Sequence, residues 1–312
     1  MIENSIQDIL SKRIMLLDGG LGTQLQLAGI TGCPDLACLE HPDVVQQIHE
    51  RYLAAGADFI ETNSFSANAI SLEGYDRAAD AYAISKAAAQ IARKAADKFT
   101  AETPGKPRFV VGSIGPTSKS ATLAPLMDDP ITPEDFENAY YDQARGLIDG
   151  GADVLLLETM VDALNVRKGL DAIGRVAAER GRAIPVMVSV SLTDSFGRLL
   201  SGESVEDLYA QIKDENLLSI GLNCSMGAEL MFPFVERLAK VAATRVSVHP
   251  NAGLPNAAGG YDETPAMFAA HMKAMIDAGL VNIVGGCCGT TPEHIRLLAE
   301  AAEGAAPRPL QA

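Results

Sequence analysis

Short apolar runs alternate with longer amphipathic stretches along most of the chain. Eight of the runs have the length and composition of buried strands, and each is followed by a stretch with helical periodicity. The predicted strands cover residues 14–17, 58–63, 108–113, 154–159, 184–190, 218–223, 245–248 and 281–284. Strands that are apolar on both faces and alternate with helices are typical of a parallel sheet. Eight such units in 312 residues favour a single (β/α)8 TIM barrel over a doubly wound sheet.

The barrel is expected to form one domain over residues 14–304, because no linker rich in proline, serine or glycine divides the chain. Residues 1–13 are predicted to be an N-terminal extension or a short helix, since the apolar residues between Ile6 and Leu10 fall on one side of a helix. Residues 305–312 are expected to form a flexible tail.

Polar residues follow or end several predicted strands, and a barrel would gather them at one mouth. TIM-barrel enzymes place their active sites at the C-terminal ends of the strands. The residues at these ends are Asp18, Glu61, Asn63, Glu158, Cys224, Asn251, Cys287 and Cys288. Each has an ordinary explanation on its own, but their shared placement indicates a functional site at this mouth.

Three of these residues are cysteines that could bind zinc. An extended strand would send the side chains of Cys287 and Cys288 to opposite faces, but three neighbouring glycines permit backbone angles that turn both toward one metal. Cys224, at the end of the sixth predicted strand, could supply a third sulfur. Three thiolates would leave the fourth position of a tetrahedral zinc open, as in catalytic sites. The alternatives for the pair are two buried thiols or a strained vicinal disulfide.

The glycine turn after the first strand is open to two interpretations. Asp18, Gly19 and Gly20 offer a carboxylate and backbone donors to a ligand, but a plain glycine turn explains the same residues. A phosphate loop is not expected, because the lysine and the spacing of that motif are missing.

The remaining cysteines and two histidines are given ordinary roles. Cys33 and Cys38 are interpreted as plain thiols in a loop or at a helix edge, because no second pair accompanies them. His249 could be a ligand or an acid/base group, but its place beside Pro250 favours a residue that supports the site from behind the ligands. His294 is expected to lie on the surface or to cap the last helix.

The composition excludes several classes of partner. The net charge is −15 and no block of basic residues occurs, so neither nucleic acid nor an anionic membrane is expected as a partner. No stretch approaches the roughly 20 apolar residues of a membrane span, and the N-terminus lacks the apolar core of a signal peptide. Five unevenly spaced cysteines do not form a disulfide framework, and they favour metal binding or catalysis in a cytoplasmic enzyme.

Five motifs stand at or near the ends of the predicted strands: Leu17–Thr23, Glu61–Asn63, Gly221–Cys224, His249–Asn256 and Gly285–Pro292. Together they resemble the homocysteine S-methyltransferase family, and above all the N-terminal homocysteine-binding barrel of cobalamin-dependent methionine synthase. The resemblance extends from about Met15 to Ala302, and the distant cysteine combined with the vicinal pair is its most specific part.

The resemblance implies a zinc site with an open position. Cys224, Cys287 and Cys288 match the three zinc ligands of the family. Asn251 matches a position that can fill the fourth site until substrate displaces it.

The resemblance also implies a binding site for the amino-acid end of homocysteine. Asp18, Gly19, Gly20 and Glu158 match the positions that hold it: glycine N–H groups suit its carboxylate, and the carboxylates suit its ammonium. Glu61 could equally bond the substrate or brace the site. A free thiol has a pKa near 8.5, and zinc coordination deprotonates it. The expected reaction is attack of this thiolate on a methyl group to form methionine.

The methyl donor is less well determined. The chain has no room for the folate and cobalamin domains of methionine synthases, and it has no Asp-x-His segment that could ligate cobalt. A separate methyl-corrinoid protein, carrying methylcobalamin, is therefore the expected donor. S-methylmethionine is the alternative, and betaine is less favoured because the chain lacks tryptophan for an aromatic cage. A hypothesis of another class is a non-catalytic, zinc-stabilised docking subunit.

Overall fold

A computed structural model of the chain describes residues 2–127 and 129–310. Within these residues the chain forms eight strands, each followed by one or more helices. The strands are β1 Met15–Leu16, β2 Phe59–Glu61, β3 Phe109–Ile114, β4 Val154–Met160, β5 Val186–Val190, β6 Leu217–Gly227, β7 Arg245–Asn251 and β8 Ile283–Val284.

The α-helices surround the strands, and one precedes them. They are α1 Ile2–Leu10, α2 Leu21–Leu27, α3 Ala37–Glu40, α4 Pro42–Ala54, α5 Ala69–Leu72, α6 Ala81–Glu102, α7 Pro133–Gly150, α8 Ala163–Arg180, α9 Val205–Ile212, α10 Ala228–Val241, α11 Pro265–Asp277 and α12 Pro292–Ala302. None of the described helices is both long and apolar enough to cross a lipid bilayer.

The strands form one parallel sheet in the order β1-β8-β7-β6-β5-β4-β3-β2, which confirms the predicted TIM barrel. The seam between β1 and β2 is bridged by Asp58. Its backbone N–H donates to the carbonyl of Leu16 at 2.8 Å, and its carboxylate accepts the N–H of Leu16 at 2.9 Å. A side chain thus supplies one of the hydrogen bonds that complete the ring.

The lower part of the barrel interior is apolar and is closed from below by α1. Ile6 and Leu10 of this helix are buried in the same cluster as inward-facing strand residues. Those residues are Met15, Leu17, Phe59, Phe109, Val111, Val154, Leu156, Met187, Leu218 and Ile283. A second apolar layer lies between the strands and the outer helices. The interior therefore offers space for a ligand at the upper mouth and not at the floor.

The two-residue period of the strands explains why the mouth is polar. Side chains two positions apart point to the same face of a strand. Glu61 follows the inward-facing Phe59 at this interval, and Glu158 follows Leu156 in the same way. These two strands thus contribute apolar side chains to the floor and a carboxylate each to the mouth.

Two helix-to-strand connections share the sequence Gly-Ala-Asp and a common structure. Gly56 and Gly151 have φ values of +112° and +105°, which favour glycine. The aspartates that follow, Asp58 and Asp153, each accept a backbone N–H from the preceding strand and an arginine side chain. These carboxylates at the barrel floor are paired and structural.

The segment expected to be a loose tail carries one firmly placed residue. Arg308 is 5% exposed, and its guanidinium donates to the carbonyls of Ala239 and Thr244 at 2.7 and 3.1 Å. Its own carbonyl accepts the side chain of Asn282 at 2.7 Å. The chain is therefore held against the barrel floor up to this point. Residues 311 and 312 of the predicted tail, and Met1 of the predicted extension, lie outside the described residues.

Candidate metal and substrate site

The three predicted zinc cysteines converge at the mouth. The sulfur of Cys288 lies 3.9 Å from that of Cys224 and 4.0 Å from that of Cys287. All three sulfurs are within 4.8 Å of one another, and none is in a disulfide. Sulfurs at the corners of a tetrahedron around zinc, with Zn–S bonds near 2.3 Å, are about 3.8 Å apart. The donor set therefore fits a zinc ion, and the vicinal disulfide is contradicted.

An unusual backbone conformation turns Cys224 into the mouth. Cys224 and Ser225 have φ values of 59° and 56°, in the left-handed region that non-glycine residues rarely adopt. The pairing of β6 with β7 shifts register between Asn223 and Gly227, around this bend. Such residues cost about 1–3 kcal/mol each and cluster at functional sites.

The three glycines beside the cysteine pair have two different roles. Of the three, Gly289 has a positive φ, +79°, and a Cβ there would lie 2.2 Å from the ring of Tyr261. Gly286 is required for space, since its Cβ would lie 2.4 Å from the hydroxyl of Thr290, and Gly285 is similarly crowded by Leu17. Close packing, more than unusual angles, therefore shapes this loop.

Thr290 joins the glycine turn to the cysteine loop, although the sequence pattern did not single it out. Its hydroxyl accepts the N–H of Gly20 at 3.0 Å and donates to the carbonyl of Cys287 at 2.7 Å. Its carbonyl accepts the hydroxyl of Tyr52 at 3.0 Å. The turn that was expected to bind substrate is thereby fixed relative to the cysteines.

Two asparagines orient the cysteines. Asn251 is buried, and its side-chain oxygen accepts the N–H of Cys288 at 3.1 Å. Its role as a metal ligand stays a prediction. The side-chain nitrogen of Asn223 lies 4.0 Å from the sulfur of Cys287, while its oxygen accepts the N–H of Thr159 at 2.9 Å.

Three carboxylates lie at the same mouth. Asp18 and Glu158 are buried, and Glu61 is partly so. One oxygen of Asp18 accepts the N–H of Glu61 at 3.1 Å, while the other has no hydrogen-bond partner. Glu158 accepts the hydroxyl of Ser113, which the sequence did not indicate as a site residue. One oxygen of Glu61 is likewise unpartnered.

Burial strongly disfavours the ionised forms of these acids. It raises the pKa of Glu158 to about 7. Burial, together with repulsion from the neighbouring carboxylates, raises the pKa values of Asp18 and Glu61 well above their usual range. None of the described residues that line the cavity is lysine or arginine. A cationic ligand would therefore stabilise the ionised acids.

The cysteine thiols differ in their pKa values. Hydrogen bonds from the other two thiols, with a further one from Tyr261, lower the pKa of Cys288 to about 3. Hydrogen bonding to the other sulfurs raises the pKa of the Cys287 thiol well above its usual value. Without a metal, one thiolate thus lies beside two protonated thiols. A divalent cation would displace the remaining protons and bind all three sulfurs as thiolates.

The cavity between these groups has a volume of about 220 Å³. The segment around Pro34 and Asp35 and the loop after β2 form part of its wall. Asp35, another residue missed from the sequence, is buried, which raises its pKa to about 6, and it accepts the N–H of Ser66 at 2.9 Å. The lining residues include Gly19–Thr23, Glu61–Ser66, Ser113, Glu158, Thr159, Cys224 and Gly286–Cys288.

The two histidines behave differently. His249 is 1% exposed, and its Nδ1 lies 3.9 Å from Glu61. Burial lowers its pKa to about 3, so the ring is neutral; a supporting role stays a prediction. His294 confirms the capping prediction, since Nδ1 accepts the N–H of Thr291 at 3.2 Å. Its surface placement was wrong, because its other nitrogen bonds the carbonyl of Glu263 and the side chain is buried.

Cys33 and Cys38 are both buried away from the three-cysteine group. The sulfur of Cys33 lies 3.7 Å from the carboxylate of Asp35, and Cys38 donates to the carbonyl of Asn63 at 3.2 Å. Their interpretation as plain thiols stays a prediction.

A TIM barrel whose mouth holds three converging thiols beside buried carboxylates has the architecture of a barrel enzyme with a candidate metal site. A sequence profile described as Homocysteine S-methyltransferase matches residues 15–302, from β1 to the end of α12. The chain belongs to the homocysteine S-methyltransferase family. This membership supports an enzyme that transfers a methyl group.

Solved structures of the homocysteine methyltransferase MmuM from Escherichia coli are similar to this chain. The metallated form is 24% identical, with coverage of 96% of this chain and 99% of MmuM and a TM-score of 0.76. The oxidised form is 24% identical, with coverage of 92% and 95% and a TM-score of 0.74. The apo form is 24% identical, with coverage of 93% and 96% and a TM-score of 0.71. At this identity the likeness establishes the fold.

Proposed function

We propose that the protein is a zinc-dependent homocysteine S-methyltransferase that forms methionine. The observation that carries the proposal is the placement of three sulfurs, at the 3.9 and 4.0 Å spacing of a zinc site, in one cavity with carboxylates that lack a cationic partner. This cavity suits a ligand with a thiol at one end and an ammonium at the other.

Cys224, Cys287 and Cys288 would hold the zinc, and Asn251 would fill the fourth position until substrate arrives. When bound, zinc lowers the pKa of a coordinated thiol so that it is ionised at neutral pH. The protein's contribution is positional, because Asn251 and Thr290 fix the cysteine loop through hydrogen bonds to Cys288 and Cys287.

Asp18 and Glu158 would bind the ammonium of homocysteine, with Glu61 beside them. A charged hydrogen bond in a cavity with no basic side chain is worth more than one in water. The carboxylate of the substrate would face the glycine turn. Since the Gly20 N–H already donates to Thr290, Gly19 and the residues that follow Gly20 would supply the donors. Fixing both ends of the substrate would aim its sulfur at the incoming methyl group, and such alignment can contribute roughly 7–11 kcal/mol.

The donor we favour is a methyl-corrinoid protein, with methylcobalamin acting in trans. Large apolar side chains are exposed on loops that follow β3 and β5 at the mouth: Leu126, Met127 and Phe196 are 79%, 76% and 71% exposed. Exposed apolar side chains on loops beside a site suit contact with a protein partner. A corrinoid docked there would present its methyl group to the cavity.

S-methylmethionine is a second candidate donor, and one observation favours it. The cavity is lined by acids and by no described basic residue, which suits a sulfonium cation. Betaine is also cationic, but Phe65 is the one aromatic residue among the described lining residues, too few for a cage.

The test is to offer methylcobalamin, S-methylmethionine and betaine in parallel to zinc-loaded protein with homocysteine. Methionine formed from methylcobalamin supports the corrinoid donor, and turnover with S-methylmethionine alone contradicts it. A docking subunit would show no change at the metal on adding homocysteine, whereas the enzyme should gain a sulfur ligand, visible in the X-ray absorption spectrum of the zinc.

A further inference from the structure

A second group of metal-ligand atoms lies at the same mouth. Oxygens of Glu61 and Glu158 and a ring nitrogen of His249 are all within 4.8 Å of one another. The side chains of Glu61 and His249 are 16% and 1% exposed, and Glu158 is 4% exposed. Within the described part of the chain, this group and the three cysteines are the two sets of at least three such ligands at this spacing.

Several of these atoms have no partner. Both ring nitrogens of His249 and one oxygen of Glu61 are buried without a hydrogen bond, as is one oxygen of the adjacent Asp18. Burying polar atoms without a partner costs free energy, and burying carboxylates without a counter-ion costs more. The described cavity lining contributes no lysine or arginine that could serve as the counter-ion. The group is thus arranged for a cation that comes from outside the chain.

We propose that Glu61, Glu158 and His249 form a second divalent-cation site, which a bound metal ion and the ammonium of the substrate occupy in turn. The mutual exclusion rests on the proposed function, whereas the site itself does not. Two carboxylates and an imidazole suit first-row ions that accept oxygen and nitrogen, such as Mn²⁺, while the three sulfurs suit zinc. The two sites therefore differ in the metal they prefer.

The distances permit this binding with a small movement. Ligand atoms bound at about 2.1 Å lie roughly 3.0–3.4 Å apart in octahedral or tetrahedral sites. The observed separation between Nδ1 of His249 and the oxygen of Glu61 is 3.9 Å. Rotation of the Glu61 side chain would shorten this separation, and the three ligand atoms already lie within 4.8 Å of one another.

The experiment is a titration of the zinc-loaded protein with Mn²⁺, followed by the paramagnetic resonance signal of free Mn²⁺. We expect one Mn²⁺ per chain. Loss of even an outer partner commonly lowers metal affinity 10–100-fold, so Glu61→Gln, which removes a ligand, should weaken binding by at least about tenfold. His249→Gln should do the same. Excess methionine, which carries the ammonium but no free thiol, should release the Mn²⁺.

Glu263→Gln provides the matched control. Glu263 pairs with His271 at 2.6 Å, but no third ligand within 4.8 Å joins them in the described residues. This variant should bind Mn²⁺ like the unaltered protein. A chain that binds no Mn²⁺, or whose Glu61→Gln and His249→Gln variants bind it as well as the unaltered chain does, overturns the second site. Mn²⁺ that stays bound in excess methionine overturns the mutual exclusion.

Failure of this inference can be told apart from failure of the proposed function. Zinc content and the response of the zinc to homocysteine are measured on the same preparation. If the protein binds zinc and homocysteine but no Mn²⁺, the second site is rejected and the proposed function stands. A protein that binds Mn²⁺ but neither zinc nor homocysteine retains the second site and contradicts the proposed function.

Discussion

The floor and the mouth of the barrel both contain buried carboxylates, but the two groups serve opposite purposes. At the floor, the carboxylates of Asp58 and Asp153 are each paired with an arginine and with a strand N–H. At the mouth, Glu61 and Glu158 face a cavity with no described basic residue. A buried carboxylate that is neutralised within the chain serves the fold, and one left without a cation is available to a ligand. The predictions below test this distinction.

The largest effect is expected at the cysteines. Cys288→Ser removes the sulfur that contacts both others, and we expect zinc content to fall from one per chain to nearly none. Methionine formation should fall by more than about 100-fold, since loss of even an outer metal partner often lowers affinity 10–100-fold. Metal analysis and a methionine assay measure both. Cys38→Ser is the control, and equal zinc loss in it would contradict the assignment.

At the mouth, Glu158→Gln should separate binding from stability. We expect the KM for homocysteine to rise about tenfold to a hundredfold, because a charged hydrogen bond contributes about 1.5–3 kcal/mol. The free energy of unfolding should stay the same or rise, since an unpaired buried charge is removed. Kinetics and urea unfolding measure the two quantities. A large loss of stability would show that Glu158 is structural.

At the floor, Asp153→Asn should give the opposite result. We expect the free energy of unfolding to fall by about 1–2 kcal/mol, because the paired Arg93 loses its charged acceptor. The KM for homocysteine should not change. Kinetics and urea unfolding again measure the two quantities. A shift in KM without loss of stability would contradict the proposed difference between the floor and the mouth.

The last prediction concerns pH. The pKa of Glu158 is raised from 4.5 to about 7, so between these values the folded protein holds a proton that the unfolded chain releases. Its unfolding free energy should therefore fall as pH rises from 4.5 to 7 and level off above. Urea unfolding of the metal-free protein at several pH values measures the slope. Glu158→Gln should show a shallower decline, and an identical slope in both proteins would contradict this shift.

The sequence predicted the barrel and the principal groups at its mouth, because both depend on local patterns. Strand periodicity places Glu61 and Glu158 above the apolar floor, and the strand ends place Cys224 and Cys287. The contacts that fix these groups are not local: Thr290 and Gly20 are 270 positions apart. Such a contact follows from packing between strands and loops, which no short pattern records.

Other differences have similar causes. The glycines near Cys287 were expected to supply backbone freedom, whereas Gly286 is needed because Thr290 packs against it. His294 was expected on the surface or as a cap of the last helix; it caps the helix, but its ring also contacts the carbonyl of Glu263 and is buried. The left-handed conformation of Cys224 had no signal in the sequence, since cysteine does not favour it.

The seam between β1 and β2 has a consequence for motion. Carboxylates bridge it at both ends, Asp58 toward the floor and Asp18 toward the mouth, where Asp18 accepts the N–H of Glu61. At the floor, Asp58 is also held by a hydrogen bond from Arg13. At the mouth, the bridging residue is Asp18, which is proposed to bind substrate. Asp18 therefore takes part both in binding the ligand and in closing the ring of strands. Hydrogen exchange of the Glu61 amide should report whether the cavity is filled.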